Sequence, residues 1–104
     1  MQVFKIYCGL DTNGYDVNAS QVAHDLAAKC FPYGHTVYEA NGRWMGEVGV
    51  IDEPTLVIEV LSEDDEVSRK VASNAVSRFA GSYKEQAFQE SVLVTQAQQN
   101  AWFV

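Results

Sequence analysis

The chain has 104 residues, 47% of them hydrophobic and 20% charged, with a net charge of −7 and a pI near 4.5. That length is one domain with room for a core. Seven Lys and Arg against 14 Asp and Glu leave no basic face for a phosphate backbone, which excludes direct nucleic-acid binding. The acidity fits plain solubility better than a nucleic-acid-mimicking surface.

Val3 to Leu10 alternates, with Phe4, Ile6, Cys8 and Leu10 on one side and Val3, Lys5 and Tyr7 on the other. This is a half-buried strand of period two. Asp11-Thr12-Asn13-Gly14 is a turn. A first helix starts at Asn18, its cap, with Gln21 completing a capping box and Val17 and Val22 a hydrophobic staple. Val22, Leu26 and Cys30, with Ala23 and Ala27, form its apolar stripe, and Pro32 and Gly34 stop it.

His35 to Met45 reads as a second strand, joined through Gly46-Glu47-Val48-Gly49 as a hairpin to a third that begins near Val50. Pro54 predicts a bulge or an irregular entry there, since proline cannot donate to a ladder. Thr55 to Leu61 is an almost unbroken apolar run, as in a central strand covered on both faces. Ser62 is the expected cap of a second helix with acidic residues in its first turn. Val67, Val71, Ala75 and Phe79 mark its predicted buried face, continued by Tyr83. Ser91 to Gln96 is the last strand.

The order β-α-β-β-α-β predicts an α+β, ferredoxin-like sandwich: a four-stranded antiparallel sheet with two helices on one face. Residues 1–96 form the expected domain. Residues 97–104 form a tail, expected to pack on the sheet or on a neighbouring subunit because of Trp102, Phe103 and Val104.

No constellation carries evident catalysis. His24 sits on a solvated helix face, and His35 closes the Pro-Tyr-Gly-His turn. Cys8 and Cys30 lie on core-facing positions and read as reduced, buried thiols. No histidine or cysteine pair has metal-ligand spacing, and the scattered glycines make no phosphate loop. No catalytic residue, metal or cofactor is therefore expected.

Arg43-Trp44 is the most suggestive pair, since a guanidinium beside an indole suits an anionic, stackable ligand such as a nucleotide. The competing reading has Trp44 packing the hairpin and Arg43 paired with Glu47 or Asp52. The sheet face away from the helices is the other candidate surface. It is expected to carry Lys5 and Tyr7, then Val57, Glu59 and Leu61, a set preferred over Leu56, Ile58 and Val60 because it contains Glu59, then Leu93 and Thr95. Arg43, Trp44, Lys5, Tyr7, Glu59 and Thr95 are thus candidate ligand contacts. Val57, Leu61, Leu93, Trp102 and Phe103 are candidate oligomer contacts.

Five stretches carry a resemblance when taken together: Ile6-Tyr7-Cys8-Gly9-Leu10, Phe31-Pro32-Tyr33-Gly34-His35-Thr36-Val37, Ala40-Asn41-Gly42-Arg43-Trp44, Glu53-Pro54, and Gln89-Glu90-Ser91-Val92-Leu93-Val94-Thr95. In this order the chain resembles a family of small bacterial and phage proteins known only as a domain of unknown function. The resemblance supports the fold and implies no site residues. Bacterial relatives resemble secreted or lipid-anchored proteins. Here Met1 to Lys5 lacks a basic region followed by an apolar run, which predicts a cytoplasmic, phage-like version.

The expectation is a non-enzymatic binding module, a phage accessory protein that sequesters a small ligand or inhibits a host protein. A small dimeric enzyme using His35 or Glu59 as acid or base is the alternative, and a structural role is the third. The uncovered sheet face and the apolar tail predict a homo-oligomer, most simply a dimer. No membrane partner is expected.

Overall fold

The computed structural model describes residues 1–104, and the predicted element order holds. The elements are β1 (Gln2–Gly9), α1 (Ala19–Cys30), β2 (Thr36–Gly46), β3 (Gly49–Ser62), α2 (Glu66–Gln86) and β4 (Leu93–Gln98). The sheet runs β2-β3-β1-β4 with every pair antiparallel. This is the ferredoxin-like arrangement. Phe4, Ile6 and Cys8 of β1 and Leu56, Ile58 and Val60 of β3 form one core cluster with α1 and α2. Residues directly opposite in an antiparallel pair share a face. Val57, Glu59 and Leu61 therefore lie on the open face, beside Tyr7, Lys5 and Val3.

α1 begins as expected, with the Asn18 side chain accepting from the Gln21 backbone N–H at 3.1 Å. Only half of the capping box forms, because the Gln21 side chain donates forward to Asp25 at 2.8 Å. The stripe centres on Ala23, Leu26 and Ala27, while Val22 and Cys30 sit at its edge, half-buried.

Four local expectations are corrected. α2 is capped by Asp65, whose Oδ1 accepts from the Ser68 N–H at 2.8 Å, because β3 runs on through Ser62. Its buried stripe is Ala75, Val76, Phe79 and Tyr83 with Ala72 beside it, and Val67 and Val71 are exposed. Steps of four residues drift by roughly 40° around a helix. Three such steps carry Val67 about 120° away from Phe79. β3 passes Pro54 without a bulge, in register with Asn41. The carbonyl of Pro54 accepts from the Leu10 N–H at 3.0 Å, so its nitrogen faces the side where β1 has ended and no ladder donor is lost. Finally, Val3 and Val57 are buried although they face away from the helices. Val57 stands directly opposite Tyr7 and Tyr38 on the two flanking strands.

β3 outruns β1, which pairs with it only as far as Thr55. Residues 41–54 therefore form a two-stranded ribbon that projects beyond the rest of the sheet. It makes the molecule long, 43 × 25 × 23 Å, with a radius of gyration of 14.3 Å. A compact domain of this size is nearer ~13 Å.

Candidate functional site

A cleft of about 390 Å³ opens on the sheet face where the ribbon leaves the body of the domain. Tyr7 and Gly9 of β1 and Glu53 and Thr55 of β3 form its floor. Trp44, Met45, Gly46 and Ile51 of the ribbon make one wall. Asp11 and Asn13 from the first loop, with Gln89, Glu90 and Ser91 from the α2–β4 segment and Leu93 at the start of β4, make the other.

Two glycines create this shape. A Cβ on Gly9 would lie 2.7 Å from the Cδ of Glu53, so the carboxyl group occupies the space a side chain would take. A Cβ on Gly42 would lie 2.8 Å from the Trp44 Nε1 and 3.0 Å from the Thr55 Oγ1, so the indole folds back over that glycine. Gly42 is directly opposite Glu53 in the β2–β3 register. Glu53 thus has glycine on both flanking strands, and its side chain lies along the floor.

The Glu53 carboxylate accepts from the Asp11 backbone N–H at 3.1 Å. Burial pushes its pKa above the ordinary glutamate value. The Asp11 hydrogen bond opposes that rise, and the Asp11 charge adds to it. Tyr83 fixes the floor from the helix side by donating its hydroxyl to the Gly9 carbonyl. β4 has already ended at this level, since its first residue, Leu93, pairs with Tyr7.

The two loops of the outer wall are clasped together. Gln89 Nε2 donates to the Asp11 carbonyl at 2.6 Å, Asn13 Nδ2 donates to the Phe88 carbonyl, and the Tyr15 and Phe88 rings stack at 3.9 Å. Asn13 and Phe88 both adopt positive φ, 54° and 55°. Such backbone is strained for a residue as bulky as Phe88 and persists only where its surroundings hold it.

Of the residues singled out in the sequence, Trp44, Tyr7 and Leu93 reach the cleft. Lys5, Glu59 and Thr95 share one row of the open face but lie outside it. Arg43 does not join Trp44. It projects from the opposite face of the ribbon, where its Nε donates to Asp52 at 2.7 Å, as the competing reading had it. His35 sits at the end of α1, its Nδ1 3.0 Å from the Phe31 carbonyl oxygen, away from the cleft. Val57 is 1% exposed and offers no surface to a partner, whereas Leu61, Leu93, Trp102 and Phe103 are exposed.

Sequence reasoning missed Gly9, Asp11, Glu53 and Gln89 as site residues. Yet four of the five family-like stretches, those holding Tyr7-Gly9, Gly42-Trp44, Glu53 and Gln89-Leu93, converge on this cleft. No group of three or more His, Cys, Asp and Glu is arranged to hold a metal ion, and no helix is long and apolar enough to cross a membrane.

The molecule is a ferredoxin-like α+β domain with an acidic, aromatic cleft at one end of its open sheet face. It belongs to the family described as protein of unknown function (DUF3574), whose model matches residues 5–103. No curated protein sequence matches the chain. Among solved structures it is similar to a phage SAM lyase in complex with S-methyl-5′-thioadenosine. That match has 17% identity and a TM-score of 0.71, over 93% of this chain and 80% of the lyase. The apo state of a phage SAM lyase matches at 18% identity with the same TM-score, over 92% of this chain and 78% of the other. The de novo designed protein Foldit4 matches at 12% identity and a TM-score of 0.51, over 95% and 96% of the two chains.

Proposed function

We propose that the chain binds a small, positively charged, ring-bearing ligand of the sulfonium-nucleoside class in the Glu53 cleft, with S-adenosylmethionine the first compound to test. The observation that carries this reading is the composition of the cleft. Glu53, Asp11 and Glu90 line it, no lysine or arginine does, and Trp44 and Tyr7 offer aromatic faces. A cation relieves the repulsion between Asp11 and the half-buried Glu53, and aromatic faces attract both cations and flat rings. A phosphate-bearing nucleotide meets the opposite field, so the anionic ligand expected from Arg43 and Trp44 is the poorer fit. The likeness to a SAM lyase supports S-adenosylmethionine as the ligand, and the uncharged thioether nucleoside S-methyl-5′-thioadenosine bound in that structure shares its ring system. Sequestering such a ligand in an infected cell is the accessory role this reading gives a phage-type protein. Inhibition of a host protein has no surface here that favours it over the cleft.

That likeness also favours a second reading, in which the chain cleaves its ligand. One experiment addresses both. Calorimetric titration with S-adenosylmethionine, S-methyl-5′-thioadenosine and ATP is followed by chromatography of the same mixtures. Saturable binding of the sulfonium compound, with none of ATP, supports the proposal. Recovery of intact ligand keeps the non-enzymatic role, and release of S-methyl-5′-thioadenosine replaces it with lyase activity. Binding of ATP alone, or of none of the three, ends the reading.

A further inference from the structure

From Ser91 to Val104 the chain has no charged side chain. This stretch contains β4, an edge strand in which all six residues are exposed, and the tail, where Trp102 is 77% and Phe103 89% exposed. Edge strands are ordinarily guarded by lysine, proline or a bulge, which keep other chains from pairing with them. β4 has none of these. The free ribbon is the second uncovered apolar element. Met45 is 80% and Val48 98% exposed, Val50 is exposed beside them, and a two-stranded ribbon without cover is marginal in water.

These elements lie at opposite ends of the sheet. The end of β4, Gln98, is level with Gln2. The ribbon begins past Thr55, which is level with Gly9, and Met45 pairs with Val50. Twelve residue steps along the strands separate the two levels, roughly 40 Å at about 3.3 Å each. Four residues of tail, from Gln98 to Trp102, span at most ~14 Å. The tail cannot cover its own ribbon.

We infer that residues 93–104 are an assembly element whose partner is a second copy of this chain, with Trp102 and Phe103 docking on the partner's ribbon at Val48 and Val50. The contact is complementary, not self-matching, so each copy offers one donor end and one acceptor end. A two-fold pair or a closed ring satisfies both. It uses the tip and outer face of the ribbon and leaves Glu53 and Asp11 free, so it stands apart from the ligand reading.

The test needs no ligand. Light scattering is performed on the full chain, on Trp102→Ser/Phe103→Ser, and on Val48→Glu/Val50→Glu. All four positions are solvent-exposed, and circular dichroism confirms that the variants fold. The expected result is an oligomer for the full chain and a monomer for each double variant. In a Cys30→Ser background, chains carrying Val48→Cys are then mixed with chains carrying Phe103→Cys under mild oxidation. A mixed cross-linked dimer, formed well above the level in either chain alone, is expected. A monomeric full chain at micromolar concentration overturns the inference. So does an oligomer that survives both double variants, or a mixture without enriched mixed cross-links.

Discussion

The carboxyl group of Glu53 fills the space above Gly9 that any other residue would occupy with its Cβ. Four predictions bear on the surroundings of this pair and on the core beneath it.

Glu53→Gln separates function from stability. Binding of a cationic ligand should weaken at least about tenfold, since a contact to a charged group is worth ~1.5–3 kcal/mol. Stability should move the other way. Burial raises the pKa of Glu53, so the folded state holds this proton more tightly than the unfolded chain, and ionisation opposes folding. That contribution is present at acidic pH and is lost as pH rises through the raised value. The variant should therefore melt at or slightly above the wild type at neutral pH, with the difference shrinking toward pH 4. Thermal melts across this range check the sign, and a variant that loses stability on approach to neutral pH contradicts it.

Gly9→Ala tests the packing directly. The new methyl group displaces a carboxyl group at the free end of a flexible side chain, which costs little. Replacing glycine in a compatible backbone stabilises by about 0.4–1 kcal/mol through the unfolded state. Unfolding midpoints should change little, while ligand affinity falls roughly tenfold as Glu53 leaves its place. Unchanged affinity would remove Glu53 from the site.

Tyr83→Phe leaves the Gly9 carbonyl without its hydroxyl partner at a level where β4 offers none. Gly9 is half-buried and borders the cleft, so the loss is that of one ordinary hydrogen bond, about 0.5–1.5 kcal/mol. Denaturant titration should show a lower midpoint with an unchanged slope. The phenol is fully buried, and burial holds its pKa well above the ordinary tyrosine value, so the loss should be the same at pH 6 and pH 9.

The two thiols should react at very different rates. Cys8 is buried, with a pKa pushed up to about 12 by that burial, so almost no thiolate forms near neutral pH. Cys30 is half-buried at the edge of its helix stripe. Labelling of native protein should count one sulfhydryl, at Cys30, and a second only after denaturation. Mass mapping of the first label to Cys8 would contradict the β1 register.

Local pattern determined much of this protein. The alternation of Val3 to Leu10 and the apolar run of Thr55 to Leu61 fix two central strands, because a strand's side chains obey a strict two-residue period. Asn18 announces the start of α1 because capping is a contact across three residues. Pairing of Arg43 with Asp52 was readable as one of two options, because both lie on one hairpin. Register decided the rest. Asp65 replaced Ser62 as the cap because the length of β3 is set by its partner β1, which pairs with it up to Gln2 and Ser62. Val57, 1% exposed, lies mid-sheet between Tyr7 and Tyr38, fifty and nineteen residues away, a neighbourhood that only strand pairing sets. Glu53 became the floor of a cleft only when Gly9, Gly42, Asp11 and Gln89 met around it from separate segments. Desolvation of a carboxylate depends on what surrounds it in space, and no periodicity within a single element carries that information.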